Sequence, residues 1–152
     1  MANNSSSRDP SWNELRAFLV ADETEAIPYS DSSFICGDYA EMLHSNAERM
    51  GIRAAVVIIH WAEDDITHAI NAFNTTDEGL VYVDDTASLG QSRGKDKIAY
   101  VVEGSKYGLI GLNEADSPNY DFYVHYTEEW EEGTAPYFYP PVGVVSTIEV
   151  FW

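Results

Sequence analysis

Three β-prone segments joined by very short connections most constrain the fold of this chain. They cover residues 52–61, 66–73 and 80–84, and each is rich in Val and Ile or alternates apolar with polar residues. An acidic turn at 63–65 separates the first pair, and a polar turn at 74–79 separates the second pair. Because a parallel crossover needs about a dozen residues or more, these connections predict antiparallel pairing. The centre of the chain is therefore predicted to form an antiparallel meander.

Two helices are predicted before this meander. The first covers residues 11–21, with Ser11 as its N-cap and Glu14 as the capping-box partner. The second covers residues 34–50, and Gly51 ends it as a residue that tolerates a left-handed conformation. Spacings of three and four residues predict that one face of the second helix packs inward, formed by Cys36, Tyr39, Ala40, Leu43, Ala47 and Met50.

Helices followed by antiparallel strands predict an α+β fold, with N-terminal helices packed on an antiparallel sheet. A length of 152 residues suits one domain. We assign residues 1–10 to a flexible polar lead and residues 11–152 to a single domain. A surface loop is expected at 87–96. Further strands are predicted at 98–102, 120–127 and 144–151.

The charge of the chain excludes two classes of partner. A formal net charge of −18 opposes binding to nucleic acid or to anionic lipid, because both need Lys and Arg. The longest apolar run, at 52–61, is too short to cross a bilayer, which takes about 20 residues as a helix. The polar lead leaves location open, since it resembles both a spacer after a removed export signal or lipid anchor and an ordinary disordered cytoplasmic tail.

Cys36 is the only cysteine, and it stands where the second helix should begin. A lone thiol is often a small buried hydrophobe. At a helix N-terminus, however, unpaired N–H groups and the helix dipole stabilise an anion and lower the pKa of a thiol. His68, at the start of the second β-prone segment, and Asp84, at the end of the third, are candidates for the base and its orienting carboxylate. The three residues together indicate a thiol nucleophile.

The same residues fall within local patterns that resemble the transglutaminase-like superfamily, which has a papain-like cysteine hydrolase core. The nucleophile segment of that family resembles C-x-x-x-A with a later R-x-x-G-I-x-A. The second pattern is H-A at the start of a strand, and the third is D-P-T at the end of the next strand. The resemblance covers residues 31–86, a little over a third of the chain. The matching positions are Cys36, Ala40, Arg49 or a neighbour, Gly51, Ile52, Ala54, His68, Ala69, Asp84 and Thr86, with Asp85 in the place of proline.

The resemblance implies a papain-like fold and a reaction at amide bonds through a thioacyl-enzyme. Cys36 would be the nucleophile, His68 the proton carrier and Asp84 the residue that orients the imidazole. The substrate would be a protein or peptide, hydrolysis would be favoured over cross-linking, and no metal or organic cofactor would be needed. The alternative is a catalytically inactive transglutaminase-like domain that serves as a binding or adaptor domain.

Two assignments stay open at the level of sequence. Asp84 and Asp85 lie on opposite faces of a strand, so only one of them can face His68, and the motif favours Asp84. The backbone N–H of Cys36 would stabilise an oxyanion together with a side-chain donor, for which Trp12, Asn13 and Tyr29 are candidates. His44 lies eight residues after Cys36, roughly 80° around the helix, and is expected at the surface rather than as a second base.

Overall fold

A computed structural model describes residues 2–87, 96–113, 115, 118 and 143–152. Within these ranges the chain forms two α-helices, a short 3₁₀ turn at Thr24–Ala26 and six strands. The elements are α1 (Trp12–Ala21), α2 (Cys36–Arg49), β1 (Ala55–Trp61), β2 (Thr67–Thr75), β3 (Gly79–Val83), β4 (Lys97–Tyr100), β5 (Gly108–Gly111) and β6 (Val145–Phe151). The strands form one antiparallel sheet in the order β5-β4-β3-β2-β1-β6. The predicted α+β class and the meander are therefore confirmed.

The two predicted helices are present, but α2 begins two residues later than predicted, and Met50, predicted on its inward face, follows the helix and is exposed. The side chain of Ser11 accepts a hydrogen bond from the Glu14 N–H, and Glu14 accepts one from the Ser11 N–H, which completes the capping box. Gly51 follows α2 with a φ of 79°, a conformation that favours glycine. Among the described residues, no helix is long and apolar enough to cross a membrane.

The strand predictions differ from the structure at two places. Strand β5 was not predicted, because its four residues are bounded by glycines and show no alternation. The strand predicted at 120–127 lies outside the described residues, as does most of the loop predicted at 87–96. The remaining strands shift by no more than three residues at either end.

Asn71 ties α2 to the sheet. Its side-chain amide donates to the backbone oxygen of Ala40 on the helix at 2.8 Å and to that of Ala55 on β1 at 3.1 Å. Asn71 itself lies on β2 and is buried. A buried amide that bonds two backbone oxygens fixes both elements, since breaking either bond would leave a desolvated polar group. The start of α2 therefore has a defined place beside β2.

The segment that we predicted as a flexible lead makes specific contacts with the domain. Asn4 donates its backbone N–H to the Glu48 carboxylate at 2.8 Å, and Ser7 is buried with its hydroxyl 3.3 Å from the Glu48 backbone oxygen. Arg8 pairs in parallel with Ile52. Polar side chains here satisfy backbone groups at the end of α2, which composition alone does not reveal.

Candidate active site

The structure brings the three predicted site residues together at one end of the sheet. His68 Nε2 lies 2.8 Å from Asp84 Oδ2. The Cys36 thiol lines the same cleft as His68, and its interaction with the His68 side chain lowers the pKa of the thiol more than any other contact does. Because Asp84 occupies Nε2, we assign the contact with the thiol to Nδ1, the other ring nitrogen. His68 therefore stands between a thiol and a carboxylate.

Strand pairing explains how His68 meets Asp84. Asn71 pairs with Val83 in the β2–β3 ladder, so Asp84 follows on the sheet face that it shares with His68. Beyond this pair β3 has ended, and the backbone N–H of Ala69 helps to lower the pKa of the Cys36 thiol. The site therefore forms where β3 leaves the side of β2 open.

The loop before α2 fixes the position of Cys36. Ser30 and Phe34 exchange two backbone hydrogen bonds of 2.9 Å each, which form a tight turn. The Asp38 carboxylate then accepts the Ile35 N–H at 2.8 Å at the start of the helix. The hydroxyl of Tyr39 donates to the Ile27 backbone oxygen and holds the loop against α2. Cys36 is the first residue of the helix.

The surroundings of Cys36 lower its thiol pKa from the ordinary value. The hydrogen bond with His68 has the largest effect, and burial opposes it. The backbone N–H groups of Ala69 and Gly37 also stabilise the sulfur anion. The environment thus favours a thiolate, which is the nucleophilic form of cysteine.

His68 carries the matching positive charge. Burial disfavours its charged form, but the Asp84 carboxylate and the Cys36 sulfur outweigh burial and raise the pKa of His68 to about 10. The side chain keeps 19% of its surface exposed, so the ring reaches the cleft rather than lying wholly inside the core. The charge of His68 therefore favours the thiolate form of Cys36, and the Cys36 sulfur in turn favours the charged form of His68.

Asp84 is held by three hydrogen bonds. Its Oδ2 accepts from His68 and, at 2.7 Å, from the hydroxyl of Tyr107, while its Oδ1 accepts from the Thr86 N–H at 2.9 Å. Burial raises the pKa of Asp84, but His68, Lys97 and Tyr107 together hold it well below the ordinary value. The carboxylate is therefore ionised and fixed in orientation.

The structure separates the two adjacent aspartates. Asp84 faces His68, in agreement with the motif. Asp85 is buried on the other side, and neither of its oxygens receives a hydrogen bond from a donor of the described residues. Asp85 takes no part in the contact with His68.

A cleft of about 360 Å³ opens above the pair. The indole of Trp61 stacks nearly parallel to the His68 ring with centroids 6.3 Å apart, and it meets the Tyr107 ring edge-on at 5.4 Å. Tyr29 and the exposed Ile66 also line the cleft. The walls beside the thiol are therefore largely apolar and aromatic.

Of the three residues considered as oxyanion donors, only Tyr29 lines the cleft. Trp12 is buried in the core with Leu15 and Leu19, and Asn13 is exposed on α1. Tyr29 is positioned by stacking on Tyr39 with ring centroids 6.4 Å apart. The structure therefore favours Tyr29.

Tyr107 was missed by sequence reasoning. It lies 23 residues after Asp84, just before β5, and no local motif surrounds it. Its side chain is almost completely buried, with 1% of its surface exposed. A lone tyrosine between short strands carries no sequence signal for such a role, because only the β3-β4-β5 ladder brings it to Asp84.

We expect Tyr107→Phe to lower the free energy of unfolding by about 1–3 kcal/mol, because it removes a donor from a buried carboxylate. Urea titration measures this change. Tyr82→Phe is the matched control, since Tyr82 is a partly exposed tyrosine on β3 whose pKa is raised by burial alone. It should change stability by less than about 0.5 kcal/mol. Equal effects of the two substitutions would contradict the role of the Tyr107 hydroxyl.

The histidine on α2, His44, corrects a prediction. His44 is fully buried rather than at the surface, and within the described ranges neither ring nitrogen has a hydrogen-bond partner. Burial lowers its pKa. Glu48, one turn later, is also buried and is bonded by the N-terminal segment, so the helix has a wider buried face than its own periodicity indicates.

Within the described ranges, no group of three His, Cys, Asp or Glu side chains is arranged to hold a metal ion. Comparison with protein-family models, with curated proteins and with solved structures finds no match.

Proposed function

We propose that this protein is a cysteine-dependent hydrolase or acyltransferase that acts on amide bonds through a thioacyl-enzyme, with a peptidase or amidase as the favoured form. The observation that carries the proposal is the double contact of His68. On one side its ring acts on the Cys36 thiol in the cleft that both residues line, and on the other Nε2 lies 2.8 Å from the Asp84 carboxylate. This is the arrangement of nucleophile, base and orienting group that covalent catalysis requires.

In the first half of the reaction, the Cys36 thiolate attacks the carbonyl carbon and forms a C–S bond. The carbonyl oxygen takes up the electron pair and becomes an oxyanion. When the C–N bond breaks, the His68 imidazolium gives its proton to the leaving amine. The products of this half are a thioacyl-enzyme, a free amine and a neutral His68, whose tautomer Asp84 fixes through Nε2.

In the second half, neutral His68 takes a proton from water as the water oxygen attacks the thioester carbonyl. The C–S bond then breaks, the thiolate returns, and a carboxylic acid is released. A primary amine in place of water would give a new amide by the same steps. Hydrolysis and amine transfer therefore share every residue of the site and differ only in the acceptor.

Oxyanion stabilisation is assigned to the backbone N–H of Cys36 and the hydroxyl of Tyr29. Cys36 is the first residue of α2, where N–H groups lack partners within the helix. Tyr29 lines the same cleft, and its pKa is raised by burial and by the nearby Asp31 and Cys36, so the hydroxyl keeps its proton and can donate it in a hydrogen bond.

The order of the elements supports membership of the transglutaminase-like, papain-like class. A helix begins at Cys36, the next strand but one contains His68, and the following strand ends beside Asp84. The apolar walls formed by Trp61 and Ile66 suit an aliphatic or aromatic side chain beside the scissile bond of a protein or peptide substrate.

The test is to trap the thioacyl-enzyme. The protein is incubated with an N-acyl phenylalanine p-nitroanilide, quenched in acid and measured by intact mass. We expect a mass increase equal to the acyl group, localised to Cys36 and absent from Cys36→Ala. Release of nitroaniline follows turnover, and added ethylamine divides the product between acid and amide. The fold of Cys36→Ala is checked by circular dichroism.

If the Cys36 thiol is activated towards iodoacetamide but forms no acyl adduct with nitroanilides or unfolded proteins, the result would favour a binding or adaptor function for this domain. A thiol that is not activated would contradict the thiolate–imidazolium pair itself. The two failures are therefore distinguishable.

A further inference from the structure

A second group of carboxyls lies behind the site, on the side of the sheet opposite His68. Asp85 has 3% of its surface exposed, and its side chain lies close enough to the Asp96 side chain for each to act on the other's charge. Neither oxygen of Asp85, nor Oδ1 of Asp96, receives a hydrogen bond from a donor of the described residues. These atoms are also buried. Two acceptors therefore face each other in a desolvated place.

A bound proton would remove the unfavourable contact between these two buried carboxyls. Two carboxylates in contact can only accept hydrogen bonds, and their charges repel strongly away from water. If one of them is protonated, its O–H donates to the other, and both the unmet hydrogen bond and the repulsion disappear. Among the described residues, no group of three His, Cys, Asp or Glu side chains is arranged to hold a metal ion here.

The groups facing the pair come from four elements, and most are negative. Asp22 after α1, Glu25 in the 3₁₀ turn and Asp84 after β3 act on one or both of the two carboxyls. Lys97 at the start of β4 is the cation that opposes them, and its Nζ also donates to the Thr86 backbone oxygen at 2.8 Å. Among the described residues, this leaves an excess of negative charge around the pair, which favours a bound proton.

We propose that Asp85 and Asp96 share a proton in the folded protein, and that this proton-binding site sets the pH range over which the ends of β3 and β4 stay together. The site is separate from the thiol chemistry. It nevertheless acts on the same strand ends, because the Asp84 N–H donates to the Lys97 backbone oxygen at 2.9 Å. Loss of the proton therefore weakens the packing that holds Asp84 in place from the opposite side of the sheet.

The direction of the pH effect follows from burial. Burial and the neighbouring carboxyls raise the pKa of Asp96 to about 7 and that of Asp85 well above its ordinary value. An unfolded aspartate loses its proton near about pH 3.9, so folding takes up a proton above that pH. Stability from this site is full below about pH 4 and falls as the pH rises through about 7.

The experiment compares urea unfolding of the whole chain from about pH 5 to about pH 8 in the wild type and in Asp85→Asn. The asparagine amide can donate to Asp96 without a proton. We expect folding of the wild type to take up about one proton more than folding of the variant over this range. At about pH 8, the melting temperature of the variant should exceed that of the wild type by about 5 °C. Asp65→Asn, at an exposed aspartate, should behave as wild type.

Two further measurements keep the proposal testable if Asp85→Asn fails to fold. Asp96→Asn should remove the same proton uptake. Infrared spectra of the wild type at about pH 6 should show the C=O band of a buried carboxylic acid, and this band should disappear from Asp96→Asn. Each readout is independent of catalysis, so each stands whether or not Cys36 reacts with substrates.

Equal proton uptake by the wild type and by both asparagine variants would overturn the proposal. A rise in melting temperature with calcium that Asp85→Asn abolishes would also overturn it, because the carboxyls would then hold a metal ion in place of a proton.

Discussion

Replacing His68 with alanine is expected to slow the alkylation of Cys36 by iodoacetamide at about pH 6.5 by about 10-fold to 100-fold. An ordinary thiol, with a pKa of about 8.5, is only about 1% thiolate at that pH. In the native site the hydrogen bond and charge of His68 lower the pKa of Cys36, and the Ala69 and Gly37 N–H groups add to this. Without His68, burial raises the pKa of Cys36, and only these weaker contacts oppose it.

The measurement is the alkylation rate from about pH 5 to about pH 9, followed by mass spectrometry. His60→Ala is the matched control, because His60 is a half-exposed histidine that pairs with Glu149 at 2.6 Å, away from the thiol. It should retain the wild-type profile. A native Cys36 that already follows an ordinary thiol profile, or a His68→Ala profile equal to wild type, would rule out the thiolate–imidazolium pair.

The same substitution alters the pH dependence of stability. The pKa of His68 is about 10 in the folded state and about 6.5 unfolded, so its contribution is full below about pH 6.5 and falls between about pH 6.5 and 10. The lowered pKa of Cys36 acts in the opposite direction over the upper part of this range. The two groups therefore partly cancel in the wild type.

Cys36 and Asp84 were predictable because their local contexts carry the information. A cysteine at a helix start and an aspartate at a strand end are recognisable within a few residues. The short turn between β2 and β3 then determines the register that places Asp84 on the same face as His68. The part of the site built from neighbouring elements thus follows from the sequence.

Tyr107 and Asp96 could not be found in this way. Both are placed by β4 and β5, and the pairing of β4 with β3 and of β5 with β4 is fixed by contacts between residues distant in the chain. The burial of His44 is likewise not visible in the spacing of α2 alone, and the distant N-terminal segment contacts Glu48 one turn later on the same helix. Periodicity describes one element at a time, so it does not report what a distant segment covers.

Asp84→Asn should reduce nitroanilide turnover by about 10³-fold to 10⁴-fold while leaving the fold intact. The introduced asparagine can still accept the Thr86 N–H, but its uncharged side chain no longer stabilises the His68 imidazolium. An amide N–H facing Nε2 would also force the ring into the wrong tautomer. The pKa of His68 then falls, and the thiolate of Cys36 loses its charged partner near neutral pH.

The neighbouring Asp85 provides the control for that result, because it is equally buried but faces away from His68. Asp85→Asn removes a carboxyl one residue later and should keep the wild-type alkylation rate of Cys36. Only Asp84→Asn weakens charge-assisted hydrogen bonds. We therefore expect only this variant to lose unfolding free energy, by about 1–3 kcal/mol. If both variants lose thiol reactivity equally, the effect comes from disturbing the end of β3, and the assignment of Asp84 as the residue that orients His68 is wrong.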